Sequence, residues 1–473
     1  MSNCLRVLRL FAVVPLALLG GCASLSPDGG MGAVAAIAGQ DLNKDLVKVR
    51  SGDDAARTQN AVTRLLQQSL SADEAVQIAL LNNLGLQAVY NQLGVDEAVF
   101  VQMSRPPVPS FSISRVSTSL ELDIERQIVG SILSIATLPA RAKIAGMRFE
   151  QAQLRAALET LSLAAETRRA YFKAVAARQR VAALSGVQSQ AVNAAALAGH
   201  LTQTGAVNKL EQAQRQVVAA EIEAQLEAAR QQATSEREKL TRLMGLWHYD
   251  IASVLPSALP SLPNSLRSLR AIEQEAMDRR VDLQIARLEV EALAKSYGLT
   301  RTTRFANVLD AAGISKTQKD RGEGPHADGG GFEIAFEIPI YDFGRARVRE
   351  AEQRYMEAVN LLGEKVVNAA SEARQAYAAY KSTYGIATKY DTDVLPLRET
   401  ISQETELQYN AMQVDAFALI QAAKDKRMAQ LASIEARKDF WLASTDLSVA
   451  ILGGGNVGRD ITPLIAADGG TEQ

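Results

Sequence analysis

The sequence has 473 residues, room for two or three domains. Its formal net charge is -2 with 22% charged residues, a balance that points to no nucleic acid or other polyanion as partner. Only 5% of residues are aromatic and Ala-rich stretches recur, which favours long helices over a sandwich or an ordinary barrel.

The chain opens with Arg6 and Arg9 followed by a short apolar run from Leu10 to Leu19, too short to span a bilayer as a mature helix but suited to an export signal. The run ends in Leu19-Gly20-Gly21-Cys22, which resembles the lipobox of bacterial lipoproteins. That resemblance implies removal of residues 1–21 and acylation of Cys22. Ala23 stands where an Asp in such signals retains lipoproteins at the inner membrane. The two cysteines of the sequence are Cys4 and Cys22, and Cys4 leaves with the signal. One cysteine remains, so the mature chain forms no internal disulfide.

Residues 22–70 read as a lipid-anchored N-terminal arm, small and polar at first, with a short helix near Asp54 to Leu70. Ser71 with Glu74 is a capping box and starts a helix to about Met103, which Pro106, Pro107 and Pro109 stop. Two strand-like stretches follow, Phe111 to Val116 and Leu120 to Ile124, each alternating apolar and polar residues. Pro139 sits where a first-turn proline belongs and opens a helix to about Gly199, roughly 60 residues or about 90 Å. Leu154, Leu158, Leu161, Ala165, Phe172 and Val175 give it a coiled-coil seam, interrupted by Arg168. After Gly205, residues 206–244 contain neither Gly nor Pro.

A linker at 248–266 carries Pro256, Pro260 and Pro263, and then the plan repeats. A helix covers about 267–299, a strand runs from Arg304 to Ile314, and a polar Gly-rich loop fills 315–330. The clearest strand of the chain follows: Phe332, Ile334, Phe336, Ile338 and Ile340 alternate with Glu333, Ala335 and Glu337. A long helix starts after Gly344, should kink or break at Pro396, and leads through the Gly- and Pro-free residues 397–452 to a tail at 453–473 that reads as disordered. Arg148 to Ala152 matches Arg354 to Ala358, and Glu166 to Tyr171 matches Glu372 to Tyr377, both at an offset of 206; Val207 to Leu210 matches Val414 to Phe417 at 207. The domains are thus a first repeat at 71–247 and a second at 267–452, each ordered helix, two strands, long helix, turn, long helix.

Four amphipathic strands cannot close a barrel, and an open sheet edge cannot sit in lipid, so other copies of the chain must complete them. A small soluble sheet covered on one face alternates in the same way. The lipoprotein signal and the repeat favour the barrel.

The segments Ser71 to Leu80, Ile338-Pro339-Ile340-Tyr341-Asp342-Phe343-Gly344-Arg345, and the turns at 205–214 and 412–421 together resemble the outer membrane factor family typified by TolC, over residues 70–452. The lipobox resembles that family's lipoprotein branch. The resemblance implies a mainly α fold with a small β part: long coiled-coil helices forming a periplasmic tunnel, and four strands per chain in a trimeric twelve-stranded outer-membrane barrel. It implies an exit duct for small molecules or metal ions, coupled through a periplasmic adaptor protein to an inner-membrane pump. The partners are then a homotrimer, adaptor, pump and outer-membrane lipid, with no nucleic acid. Ile135 to Pro139 replaces the Asp-Phe-Gly type of junction in the first half.

By the same likeness Asp415 takes the place of an acidic gate residue at the tunnel tip, with Asn208 its counterpart, while Ala418 stands where a second acid would be. Both residues also read simply as helix N-caps after a turn. Glu121, Asp123, Glu125, Glu333 and Glu337 would face the barrel lumen, where acids either favour cations or merely keep the lumen wet. No enzyme, cofactor or metal site is expected. His200, His248 and His326 form no spaced ligand pair, and the Gly-x-Gly-x-x-Gly spacing at 453–458 has only 15 residues after it, too few for a βαβ unit. A pore-free coiled-coil lipoprotein spanning the periplasm and a protein-secretion duct are the competing readings; a mere spacer has no use for four amphipathic strands.

Overall fold

The computed structural model describes residues 24–119, 121–247, 251, 254–266, 272–320 and 327–453. The segment expected to be an export signal, Cys22, His248, His326 and the residues beyond Gly453 lie outside them. The elements, in chain order, are α1 (Met31–Val34), a π turn (Ala35–Gly39), α2 (Gln40–Leu42), α3 (Gly52–Leu65), α4 (Ala72–Asn82), α5 (Leu84–Met103), β1 (Ser110–Ser117), β2 (Glu121–Ser131), α6 (Ile132–Gln203) and α7 (Lys209–Leu243). The second half contains α8 (Ile272–Arg279), α9 (Val281–Thr302), β3 (Val308–Asp320), β4 (Ala327–Glu337), α10 (Arg345–Lys389), a π turn (Tyr390–Val394), α11 (Leu395–Asn410) and α12 (Ala416–Leu452). The fold is the mainly α, small β arrangement that the sequence implies.

Two compact units cut across the sequence repeats. One takes Met1–Val34, Tyr90–Ala156 and Leu283–Val366; the other takes Ala35–Val89, Ala157–Asp282 and Val367–Gln473.

The first unit holds all four strands in one antiparallel sheet, ordered β1-β2-β3-β4. Ser110 pairs with Val129, Glu121 with Asp320, and Val308 with Glu337. Below the strands the helices pack through Phe100 and Phe149, stacked with centroids 5.5 Å apart, and Tyr297 and Tyr355, stacked at 6.5 Å. The Gln151 amide donates to the Ile285 carbonyl at 3.0 Å and to Glu289 at 2.9 Å. The arm is fastened here: the Ser26 backbone N–H donates to buried Glu97 at 2.6 Å.

The second unit has a core of Leu70, Ile78, Ala79, Tyr171, Phe172, Val175, Leu240 and Met244. The expected capping box of Ser71 with Glu74 forms, and the structure adds a second, Ser51 with Asp54, at the start of α3. The Pro-containing linker is irregular yet packed, with Ile251, Leu255 and Leu259 buried in that core and the Leu70 N–H donating to the Val254 carbonyl at 2.7 Å. A second cluster gathers Ile272, Ala276, Tyr380, Phe440, Leu447 and Ile451. Beside it buried Arg280 grips Asp282 at 2.8 Å and Glu372 at 2.6 Å. Burial opposes the guanidinium charge, but the two carboxylates outweigh it and hold the pKa above its usual value.

Several boundaries differ from the sequence reading, each for a local reason. The helix expected over 71–103 breaks at Asn83, which is extended (φ -73°, ψ 114°). Its amide donates to the Leu243 carbonyl while its own oxygen caps Leu86, and Asn82 bonds Met244 and Gly245. Pro139 lies inside α6, not in its first turn, because the helix begins at Ile132 directly from β2. The second strand extends to Ser131, and residues 315–320 and 327–331 are strand, not loop. Backbone pairing carries these polar and Gly-rich stretches where side-chain alternation gives no signal. Pro396 does end one helical register: the π turn at Tyr390–Val394 absorbs the change and Pro396 sits in the first turn of α11.

Candidate functional site: a two-faced sheet and two helix-pair turns

Residues directly opposite in an antiparallel ladder share a face, so the register assigns every strand side chain to one side. Glu121, Asp123, Glu125, Glu333 and Glu337 all fall on the same side. Asp310 and Asp320 join them, opposite Ala335 and Glu121. Among the described strand residues Lys316 is the one basic residue of this face. It pairs with Asp123 at 3.5 Å, while the amides of Gln127 and Gln318 donate to Glu333 at 3.4 Å and Glu121 at 3.2 Å. Sequence reasoning missed Asp310 and Asp320. Asp320 lay in a presumed loop, and the sidedness of Asp310 follows only from the register.

The opposite face carries Phe111, Ile113, Ile124, Ile128, Leu309, Phe332, Ile334 and Phe336. Among the described residues most of these side chains are exposed, Phe332 to 83% and Phe111 to 73%, while Ile124 and Leu309 on the inner strands are half-buried. The apolar series continues past β4 through exposed Ile338, Ile340 and Tyr341. β1 and β4 are the outer strands, and among the described residues neither pairs on its outer side. A sheet with an uncovered apolar face and two open edges is unfinished as a soluble object.

The strands join helices at one end and turn at the other. The β1–β2 turn is closed by Thr118, whose N–H donates to the Glu121 carbonyl at 2.9 Å and whose hydroxyl accepts from the Glu121 N–H at 3.0 Å. At the β4–α10 junction Phe343 and Gly344 are both left-handed, with φ 52° and 71°. A Cβ on Gly344 would lie 2.3 Å from the Arg304 carbonyl oxygen, so only glycine fits. The Asp342 carboxylate accepts from the Gly344 and Ala346 N–H groups at 2.9 and 3.0 Å, and these bonds hold its pKa below the usual value.

The two helix-pair turns of the second unit have one geometry. Asn208 caps α7 by accepting from the Glu211 N–H at 2.9 Å; Asp415 caps α12 by accepting from the Ala418 N–H at 2.8 Å. Three residues before each cap the chain is left-handed, at Gly205 (φ 77°) and at Met412 (φ 59°), the same offset of 207 that relates the sequences. Arg215 stacks its guanidinium over the Phe417 ring at 4.5 Å.

Among the described residues no group of His, Cys, Asp and Glu could hold a metal ion, and no helix is long and apolar enough to cross a membrane. The latter says nothing of a β-barrel.

Residues 272–392 match the family model for the outer membrane efflux protein. No curated protein matches the chain by sequence. The fold is similar to that of the outer-membrane channel OprN, at TM-score 0.67 and 18% identity, covering 89% of this chain and 95% of that one. It is also similar to the Campylobacter jejuni CmeC outer membrane channel (TM-score 0.62, 16% identity, 86% and 88% covered) and to the outer membrane protein VceC of Vibrio cholerae (0.63, 16%, 81% and 96%). Part of the chain, residues 272–392, is thus similar to the outer membrane efflux protein family, and the chain as a whole has the fold of these outer-membrane channels.

Proposed function

We propose that the chain is one subunit of a homotrimeric outer-membrane channel, the passive exit duct of a tripartite efflux system for small molecules or metal ions. It is anchored by an acyl group on Cys22 and couples through a periplasmic adaptor to an inner-membrane pump. The observation that carries this reading is the sheet: four antiparallel strands, one face apolar and largely exposed, one face acidic, both edges unpaired among the described residues. Three copies bring twelve strands, within the range of single barrels, and closure removes every edge. The apolar face then meets lipid and the acidic face lines water. A pore-free spacer has no use for such a sheet. In this reading Glu121, Asp123, Glu125, Glu333 and Glu337, with Asp310 and Asp320, line the lumen, and Asp415 with Asn208 sits at the gate.

The test is the mass of the detergent-solubilised complex together with its conductance in planar bilayers. The expected result is a trimer that conducts, each chain beginning at acylated Cys22. A folded monomer, or a trimer without conductance, overturns the channel. A mature chain that begins elsewhere removes the anchor.

A further inference from the structure

The apolar face of the sheet is not apolar throughout. Along its rows toward the hairpin turns it changes character. The row Phe111, Ile128, Gly313, Phe332 is followed by Ile113, Arg126, Ser315, Gly330, and then by Arg115, Ile124, Thr317, Asp328. Lys319, opposite Leu122, comes one row further. Arg115, Arg126 and Lys319 are all exposed, and none is ion-paired among the described residues. Arg115 and Arg126 are diagonal neighbours, roughly 7 Å apart on such a ladder, and Lys319 stands about 7 Å further along the strand direction than Arg115. Asp328 is the one acid on this face among the described strand residues.

The contrast with the other side is chemical. There the basic residue, Lys316, is answered by Asp123. Here three cations stand on the surface that the proposed channel turns toward lipid. Guanidinium groups at the bilayer midplane are costly, and at its interface they cost little. The apolar side chains run from Tyr341 and Ile340 up to Phe332 and Ile113, which sets the hydrocarbon band at the helix-joined end; Arg126, level with Ile113, stands at the upper edge of that band, and Arg115 and Lys319 stand one and two rows above it, toward the hairpin end. Since the helices lie on the periplasmic side in the proposed reading, the hairpin end meets the outer leaflet.

We propose that Arg115, Arg126 and Lys319 form a binding surface for the phosphomonoesters of the phosphorylated glycolipid of the outer leaflet. Planar guanidinium forks suit phosphate oxygens, and Ile113, one row below Arg115, with Phe111 and Ile128 in the next row offers an apolar bed for the acyl chains. This inference rests on the channel reading.

The test uses the full-length lipidated protein in phosphatidylcholine vesicles doped with bisphosphoryl lipid A, with its dephosphorylated form, or with phosphatidylglycerol. Retained lipid is counted by native mass spectrometry. Bisphosphoryl lipid A is expected to be held on the order of tenfold more tightly by the native protein than by Arg115→Gln/Arg126→Gln/Lys319→Gln. Arg126→Gln alone should fall between them, and Lys316→Gln, on the acidic face, should match the native protein. Equal retention by the triple variant, or equal retention of the dephosphorylated lipid or phosphatidylglycerol, overturns the proposal while leaving the channel intact. A native protein that fails to float with the vesicles overturns the channel reading and this inference together.

Discussion

Asp415 is offered two roles, helix cap and charged gate, and the two can be separated by substitution. Its carboxylate accepts one bond, from the Ala418 N–H at 2.8 Å, as the Asn208 amide oxygen does from Glu211 at 2.9 Å. Replacing a cap of this kind by Ala costs about 1 kcal/mol, felt locally at the turn. That corresponds to roughly a fivefold rise in the opening of the first turn of α12, visible as faster hydrogen exchange at residues 416–419. Asp415→Asn keeps an acceptor in the same place and removes the charge. If the charge acts at the gate, Asp415→Ala and Asp415→Asn should change conductance and cation preference alike, although only the first speeds exchange, and Asp415→Lys should depress cation flow further. Asn208→Ala should speed exchange at 209–212 and leave selectivity alone. Should Asp415→Asn and Asp415→Lys trimers conduct as the native protein does while Asp415→Ala alone differs, the residue is a cap and the gate role falls.

Two further expectations concern stability. Gly344→Ala places a Cβ 2.3 Å from the Arg304 carbonyl oxygen at φ 71°; the left-handed backbone alone costs about 1 kcal/mol and the overlap forces the junction apart. Trimer yield and thermal stability should fall, whereas Gly363→Ala, with open space around its Cβ in α10, should raise stability by up to about 1 kcal/mol. Buried Tyr171 donates its hydroxyl to the Leu70 carbonyl at 2.9 Å, and burial, aided by Glu74, pushes its pKa up to about 12. The unfolded phenol ionises near 10, so its stabilising contribution is complete below pH 10 and is lost as pH rises to about 12. Tyr171→Phe should cost about 1 kcal/mol at neutral pH and flatten the alkaline limb of the denaturation profile.

The parts of this fold that the sequence makes legible are those in which side chains alone carry the signal. Ser71 with Glu74 announces a helix start because both partners of a capping box are local. Phe332 to Ile338 announces a strand because one face is apolar and the other is not. Lys316 to Asp320 and Ala327 to Gly331 announce nothing, since both their faces are polar or bare, and only pairing with β2 or within the hairpin makes them strand. Asn83 likewise breaks its helix through the Leu243 carbonyl, 160 residues away. The five acids could be placed on one side by period two within single strands, but Asp310 and Asp320 needed the inter-strand register. The three outward cations needed it as well, since Arg115 and Arg126 become neighbours only through the Ile113–Arg126 pairing.

The repeat shows which of its features geometry dictates and which it leaves free. Both helix pairs return through a turn with a left-handed residue and, three positions on, a side-chain cap. The backbone shape is common to both, so it is required by the reversal itself. The residue filling it is not common: Gly205 takes the left-handed conformation without strain, and Met412 takes it with a Cβ and a side chain 93% exposed. The strand-to-helix junctions diverge in the opposite sense. β4 leaves the sheet through two left-handed residues and an Asp cap, whereas β2 runs straight into α6 and leaves Pro139 to lie within the helix. At the turns the geometry is kept and the residues vary; at the junctions the geometry itself varies, yet all four strands still enter one sheet in register. What the two halves must share is therefore the sheet and the returning helix pair, the two features on which the proposed trimeric duct would depend.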